Sequence, residues 1–418
     1  MTSPELLADA PASAYVLAGT LISDGHTTAD AVVAVAGGRI AYAGPRRGFG
    51  AAAFRAAREI TLPPGSSILP GLIDLHCHGA AGGGFPTGDS RACRAAVGFL
   101  HRSGTTTLLA SLVTAPAEEL LRGIGVLRPL ADEELIAGIH AEGPFLSPSR
   151  CGAQNPEWLR IPDLELLGRL LHAAGGTLRT MTYAPELPGA GWLVSMLAGN
   201  GVTPSLGHTD ADARTAADSL TVAAESLRAG RRTGAGRRPT VTHLFNGMPP
   251  LHHRNPGPAA ACLRLAASGT VAVELVGDGV HLDPETVLMV FELVGADNVV
   301  LVTDSMAATG LPDGDYELGP AAVAVSGGVA ALKSDGALAG GTATLLEVVR
   351  RTIGAGVAPE DAVKAATLVP ARILGREDQI GSLKPGMRAD SVAVDADFGL
   401  AAVLRGGLPL PRPAVVRA

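Results

Sequence analysis

Between residues 70 and 303 the chain alternates two kinds of hydrophobic pattern. Short apolar runs lie at 70–76, 105–113, 136–142, 178–184, 203–207, 240–244, 271–276 and 298–303. Runs of this length read as strands buried on both faces. Between them the spacing turns helical, as in AEELLRGIGVLRPL (117–130) and DPETVLMVFELVG (283–295), where apolar residues recur every three or four positions. Eight strand–helix units in succession predict a (β/α)8 barrel of the TIM type, which places functional side chains at the carboxyl ends of its strands. The chain ends have another rhythm. YVLAGTLIS and AVVAVAGGRIAYAG near one end, and ADSVAVD and LAAVLRGGLPL near the other, read as short strands joined by turns. They predict a small β-sandwich built from residues 1–68 and 378–418, flanking a barrel over 69–377.

Composition narrows the partners. Of the 418 residues 47% are hydrophobic and 17% charged, which suits a large folded core, and with 3% aromatics that core must be packed with Ala, Val and Leu. A formal net charge of -7 argues against nucleic acid as the main partner. The run RAGRRTGAGRRP (228–239), with five arginines, reads as a solvated surface insertion, a nucleic-acid patch being the lesser alternative. No uninterrupted apolar stretch is long enough to span a bilayer, so no membrane association is expected. The opening MTSPELLADAPAS lacks the basic and apolar regions of a signal peptide. Cys77, Cys93, Cys151 and Cys262 form no C-x-x-C pair, which suits free thiols and a cytoplasmic location.

The chemistry sits at the predicted strand ends. LPGLIDLHCHG (69–79) runs an apolar strand into His76 and His78, and residues two apart on a strand share a face. The following strands finish in HAEGPF with Glu142, LGHTDAD with His208, THLFNGM with His243, GDGVHLD with Asp278 and His281, and VTDSM with Asp304. One strand-end histidine is most often structural; six strands ending in imidazole or carboxylate point to a metal centre. Glu142, His208 and His243 make a three-ligand set, and His76, His78 and Asp304 a second. Two-metal barrels often bridge their ions with a carboxylated lysine. The three lysines, Lys333, Lys364 and Lys384, all follow the predicted strands, so Glu142 is the expected bridging carboxylate.

The segments PGLIDLHCHG, HAEGPFLSP, GAQNPEWL, LGHT, THLFNGMPPLHHRNPG, GDGVHLD, VTDSM and LAGGT resemble the amidohydrolase superfamily and, within it, the N-acetylglucosamine-6-phosphate deacetylases. The likeness covers nearly the whole chain. It implies hydrolysis of N-acetyl-D-glucosamine 6-phosphate to D-glucosamine 6-phosphate and acetate, in amino-sugar catabolism or cell-wall sugar recycling. It also implies one or two divalent ions per subunit, zinc first. In the family's pattern Glu142, His208 and His243 are metal ligands and Asp304 is the general acid/base. Asn246, Gly247 and Arg254 contact phosphate, Arg254 reaching in from the second subunit of a homodimer. Asp278 and His281 join them as candidate substrate contacts, His281 matching a sugar contact. Ala153, Gln154, Leu338, Ala339 and Gly340 match further substrate-lining positions. Two departures stand out. Some members have histidine where this chain has Gln154, and some lack the H-x-H that this chain keeps. A second ion at His76 and His78 would take the place of that histidine as the electrophile. Cys151 either lines the site or is a buried structural thiol. The competing readings are a deacetylase for the galactosamine epimer, another amidohydrolase, and a non-enzymatic binder of sugar phosphates.

Overall fold

The computed structural model describes residues 14–230 and 237–413. The N-terminal segment read for a signal peptide and the centre of the arginine run lie outside these residues. Eight parallel strands form the middle: β1 (Leu72–Cys77), β2 (Thr105–Leu112), β3 (Gly138–Glu142), β4 (Leu178–Tyr183), β5 (Thr203–Leu206), β6 (Thr240–Val241), β7 (Ala272–Leu275) and β8 (Val299–Leu301). Each pairs with its neighbour in chain order. The ring closes beyond β8, where Asp304 N–H donates to His76 O (2.9 Å) and His78 N–H to Ser305 O (2.7 Å). Every strand falls within or beside a run expected from the sequence, and all are buried along their length apart from half-buried Arg179.

Eight helices follow the strands: α1 (Ser90–Arg102), α2 (Ala117–Asp132), α3 (Leu164–Ala174), α4 (Ala190–Gly199), α5 (Ala213–Ala229), α6 (Gly257–Ala267), α7 (Pro284–Val294) and α8 (Leu345–Gly354). Their starts are written locally. Asp89, Asp163, Asp212 and Asp283 accept first-turn N–H groups, and Thr344 with Glu347 forms a capping box. Their apolar faces cover the barrel in one continuous core, in which leucines, valines and alanines supply most of the packing.

The chain ends do build one small β unit. Strand Ser67–Pro70 pairs antiparallel with Ser391–Val394, Leu69 opposite Val392, and so splices the N-terminal and C-terminal strands into a continuous eight-stranded sheet. Side chains from both halves, including Leu17, Val33, Ile40, Ala393 and Leu404, share a single apolar cluster, so the sheet folds over its own core.

Two features depart from the expectations. A three-stranded antiparallel sheet (Gly314–Leu318, Ala321–Ser326, Val329–Leu332) is inserted between β8 and α8. The eight-unit reading leaves this segment unassigned, although its short alternating runs and the turns at Gly319–Pro320 and Gly327–Gly328 signal hairpins. The arginine run is also not wholly solvated. Arg237 Nη2 donates to Gly201 O (3.0 Å), and Arg238 donates to Gly269 O (3.3 Å), Asn298 Oδ1 and Asp297 O. Burial pushes the Arg238 guanidinium down to about 10. These two arginines therefore fasten the foot of β6 to its neighbours.

Candidate metal centre

The strand ends decide which side chains enter the barrel mouth. His76 and His78 lie at the end of β1, Glu142 is the last residue of β3, and His208, His243 and Asp304 follow β5, β6 and β8 by two or three residues. These last three have left-handed backbone, with φ of 47°, 28° and 48°. Non-glycine residues rarely adopt it, and such strain is characteristic of functional sites. The chain turns sharply at the residue whose side chain enters the mouth.

The side chains meet at two linked points. Glu142 Oε1 lies 2.9 Å from His243 Nε2 and 3.0 Å from His208 Nε2, and those two nitrogens are 3.1 Å apart. On the other side His76 Nε2 and His78 Nε2 are 3.0 Å apart. Asp304 Oδ1 lies 3.4 Å from the first and 3.2 Å from the second. Glu142 Oε2 is 3.2 Å from His78 Nε2, so this carboxylate faces both groups, as a bridging ligand must. All six side chains are nearly removed from solvent.

The donor set fits a cation. His208 Nδ1 is 2.8 Å from Arg150 O, a carbonyl that can only accept, so this nitrogen carries the proton and the Nε2 lone pair points at Glu142 and His243. Four imidazole Nε2 atoms and two carboxylates thus converge where neutral rings alone would set lone pair against lone pair. The electrostatics agree. Burial alone would strip the proton from His76, but Asp304 and Glu142 outweigh it and hold its pKa well above the ordinary value. The same opposition raises His78, through Asp304 and Glu142, and His208, through Glu142. Burial would raise the pKa of Glu142, yet His76, His208 and His243 hold it well below the usual carboxylate range. The pocket is built to hold positive charge, and a divalent ion would displace protons from these same atoms.

A sequence model of the Amidohydrolase family matches residues 67–415. The chain belongs to the amidohydrolase family. Among its relatives, N-acetylglucosamine-6-phosphate deacetylase of Bacillus subtilis is 36% identical over 82% of this chain and 84% of its own length. N-acetylgalactosamine-6-phosphate deacetylase of Escherichia coli O157:H7 is 32% identical over 79% of the chain and 84% of its own length. A solved N-acetyl-D-glucosamine-6-phosphate deacetylase variant of Mycobacterium smegmatis, in complex with N-acetyl-D-glucosamine-6-phosphate, superposes with a TM-score of 0.85 at 36% identity. That match covers 95% of this chain and 99% of the other. The enzyme of Thermotoga maritima gives 0.79 at 28% identity, over 94% and 99%.

Around the centre of this amidohydrolase the remaining expected residues divide. His281 Nε2 lies 3.7 Å from Asp304 Oδ2, and its Nδ1 is 2.8 Å from Asp278 Oδ2. Asp278 was expected among the substrate contacts. Its other oxygen accepts from the backbone N–H of Val280 and His281 (both 2.8 Å), so it orients His281. Gln154 is likewise turned inward. Its Nε2 donates to Glu142 Oε2 (2.6 Å) and its Oε1 accepts from Thr114 N–H (2.7 Å), so it holds the carboxylate that faces both groups. Gly247 sits where a side chain would be strained. It has φ +62°, and a Cβ there would lie 3.0 Å from His208 Nδ1. Asn246 is half-buried, with Nδ2 3.3 Å from His243 O. Gly340 packs on the Asp304 carbonyl, 2.9 Å from where its Cβ would be. Leu338 and Ala339 bond to the inserted sheet at Ala331 and Ala330. Ala153 packs beside Ala339 and Met306 against the same sheet. Cys151 is half-buried in the loop that covers His208. Arg254 is exposed in the 251–256 loop, 2.9 Å from His253 Nε2, and not among the residues that gather at the centre.

Three buried groups beneath the centre escaped the sequence reading. Asp74 Oδ2 accepts from Thr303 Oγ1 (2.7 Å) and Oδ1 from His76 N–H (3.2 Å), across the closure of the barrel. Burial pushes its carboxyl up to about 7. The His140 ring abuts His76 edge-on at 4.5 Å and spans Ser111 Oγ (3.0 Å) and Thr182 Oγ1 (2.8 Å). Glu274, in β7, faces His76 Nδ1. The signal was present: a charged residue in an otherwise apolar strand needs a buried partner.

Proposed function

We propose that this enzyme hydrolyses the acetamide of N-acetyl-D-glucosamine 6-phosphate, giving D-glucosamine 6-phosphate and acetate. The observation that carries the reading is the convergence of Glu142, His208 and His243 opposite Asp304. Zinc suits the nitrogen and oxygen donors, with a second ion at His76, His78 and Asp304 when metal is plentiful. When bound, the ion supplies a Lewis acid for the amide carbonyl and lowers the pKa of water.

The chain's own groups do the rest. Burial opposes charge on Asp304, but His76 and His78 hold its carboxyl far below the usual range, so it is ionised at neutral pH. It takes the proton of the attacking water and delivers it to the departing nitrogen, since an amine leaves poorly as an anion. His281 donates its Nδ1–H to Asp278 and turns Nε2 toward the Asp304 carboxylate. Burial opposes charge on this ring, but Asp278 and Asp304 raise its pKa, and as the imidazolium it can donate from Nε2 to a sugar hydroxyl or to the carbonyl. Asn246, Gly247 and Arg254 receive the phosphate. Arg254 sits on an exposed loop that also presents Leu251, 51% exposed, which supports its working in the partner subunit's site of a homodimer. Among the described residues no helix is long and apolar enough to cross a membrane. A phosphorylated sugar substrate fits a cytoplasmic enzyme.

The relative acting on the galactosamine epimer supports a second reading, that isomer's deacetylation. Acetate release from both N-acetylamino-sugar 6-phosphates tests the choice. Faster turnover of the glucosamine compound is expected. Chelation should abolish activity and zinc restore it. Full activity in verified metal-free protein would end the metal-dependent reading.

A further inference from the structure

The paired donor sets leave one question that the reaction itself does not answer: what orients His76. Its Nε2 is one of the four converging imidazole nitrogens, 3.0 Å from that of His78. For that atom to offer a lone pair, the proton must sit on Nδ1, and a proton on a fully buried nitrogen needs an acceptor. The polar atom facing Nδ1 is Glu274 Oε2, at 3.4 Å. Glu274 is 1% exposed and stands in β7 with Val273 and Leu275 on either side. A carboxylate in such a place is costly unless paired, and its ion-pair partner is His76. The same Oε2 accepts from the backbone N–H of His243 (3.3 Å), a ligand of the other donor set. The edge of the His140 ring abuts His76 as well, which limits how that ring can tilt.

We propose that Glu274 is a positioning residue that sets the second metal site: it fixes His76 as the Nδ1–H tautomer, with Nε2 toward the ion. Through the His243 N–H, the same oxygen anchors that tautomer to the strand end carrying the first site. This rests on the two-site reading above and adds to it a group that binds neither ion nor substrate. Glu274 must act on the His76/His78 site far more than on the Glu142/His208/His243 site. The first depends on its oxygen through a side-chain tautomer, the second only through one main-chain hydrogen bond.

Cobalt(II) titration of the metal-free full-length protein tests this, with the visible absorption of each site as the readout. His78→Ala identifies the second site as the binding event it removes. Glu274→Gln keeps the shape and one acceptor oxygen but not the charge, and Glu274→Leu removes the acceptor. Orienting partners of ligand histidines typically contribute about 10- to 100-fold in metal affinity. Glu274→Leu should weaken the event assigned to His76/His78 by about that factor and the other by less than about threefold, with Glu274→Gln intermediate. The thermal midpoint of the metal-free protein separates this from loss of fold. A merely structural Glu274 would lower that midpoint in Gln and Leu variants alike and leave the cobalt affinities of the folded protein unchanged. That result would overturn the proposal, as would equal weakening of both events. If the parent protein shows a single event that His78→Ala leaves intact, the two-site reading itself falls, whatever Glu274 does.

Discussion

In the proposed reaction Asp304 carries the heaviest single duty. Its Oδ1 faces His76 and His78 and its Oδ2 faces His281, so one side chain joins the candidate metal centre to the proposed sugar contact. Asp304→Asn keeps the size and removes the base. General acid–base groups contribute about 100- to 10,000-fold, and the proposed mechanism uses this one in both halves of the reaction. The expected loss in kcat is at the top of that range, with substrate still bound. A loss under about tenfold in steady-state assays would move the proton transfer elsewhere. Rescue by excess metal would reduce Asp304 to a ligand. The ligand candidates were legible at this scale because histidine and carboxylate at strand ends are unusual. Gln154 and Asp278 were legible only as site residues. Their hydrogen bonds to Glu142 and His281 depend on loops meeting in space.

At the level of elements, α1 shows how a helix can make the fold acid-sensitive. His101 lies in its last turn, 6% exposed, with Nε2 lacking a partner. Burial, and then the charge of Arg405 and Arg388 from the small β unit, push the imidazole down to about 3. The sign follows from linkage. Below an unfolded pKa of about 6.5 the unfolded chain binds a proton that the folded chain refuses, so stability falls as pH drops toward 3. Between pH 7 and pH 5 this one group should remove about 2 kcal/mol. His101→Leu should flatten that part of the profile. The check is the thermal midpoint of parent and variant at the two pH values, and an identical drop in both would show that His101 contributes nothing to it. The helix was legible from its periodicity. The arginines that face His101 come from the other end of the chain and were not. The inserted sheet after β8 had local hairpin signals, but its packing against Val113 and Met306 is tertiary and was not legible.

The whole molecule adds a question of assembly. Arg254 is exposed within its own chain, yet its guanidinium suits two-pronged phosphate binding. A charge-assisted hydrogen bond contributes about 1.5–3 kcal/mol, so Arg254→Ala should raise KM about tenfold or more. The non-phosphorylated sugar, a poor substrate, should be nearly indifferent to the change. If the residue works in the partner's site, mixing Arg254→Ala chains with Asp304→Asn chains creates heterodimers with one intact site. Activity should then recover. No recovery despite demonstrated subunit exchange would confine Arg254 to its own subunit.

By itself the sequence determined the strand–helix alternation, hence the barrel, and the residues at its mouth. It could do so because apolar periodicity and strand-end ligands are local properties, readable within a few residues of one another. Tertiary structure alone decided how those ends converge. It brought Glu142 between two histidine pairs, tied Gln154 to Glu142 and Asp278 to His281, and set Glu274 beneath His76, some two hundred positions away along the chain. It also joined the two termini into one sheet through Leu69 and Val392. These are contacts between distant segments, and a linear pattern carries no record of which distant segments will share a buried acceptor.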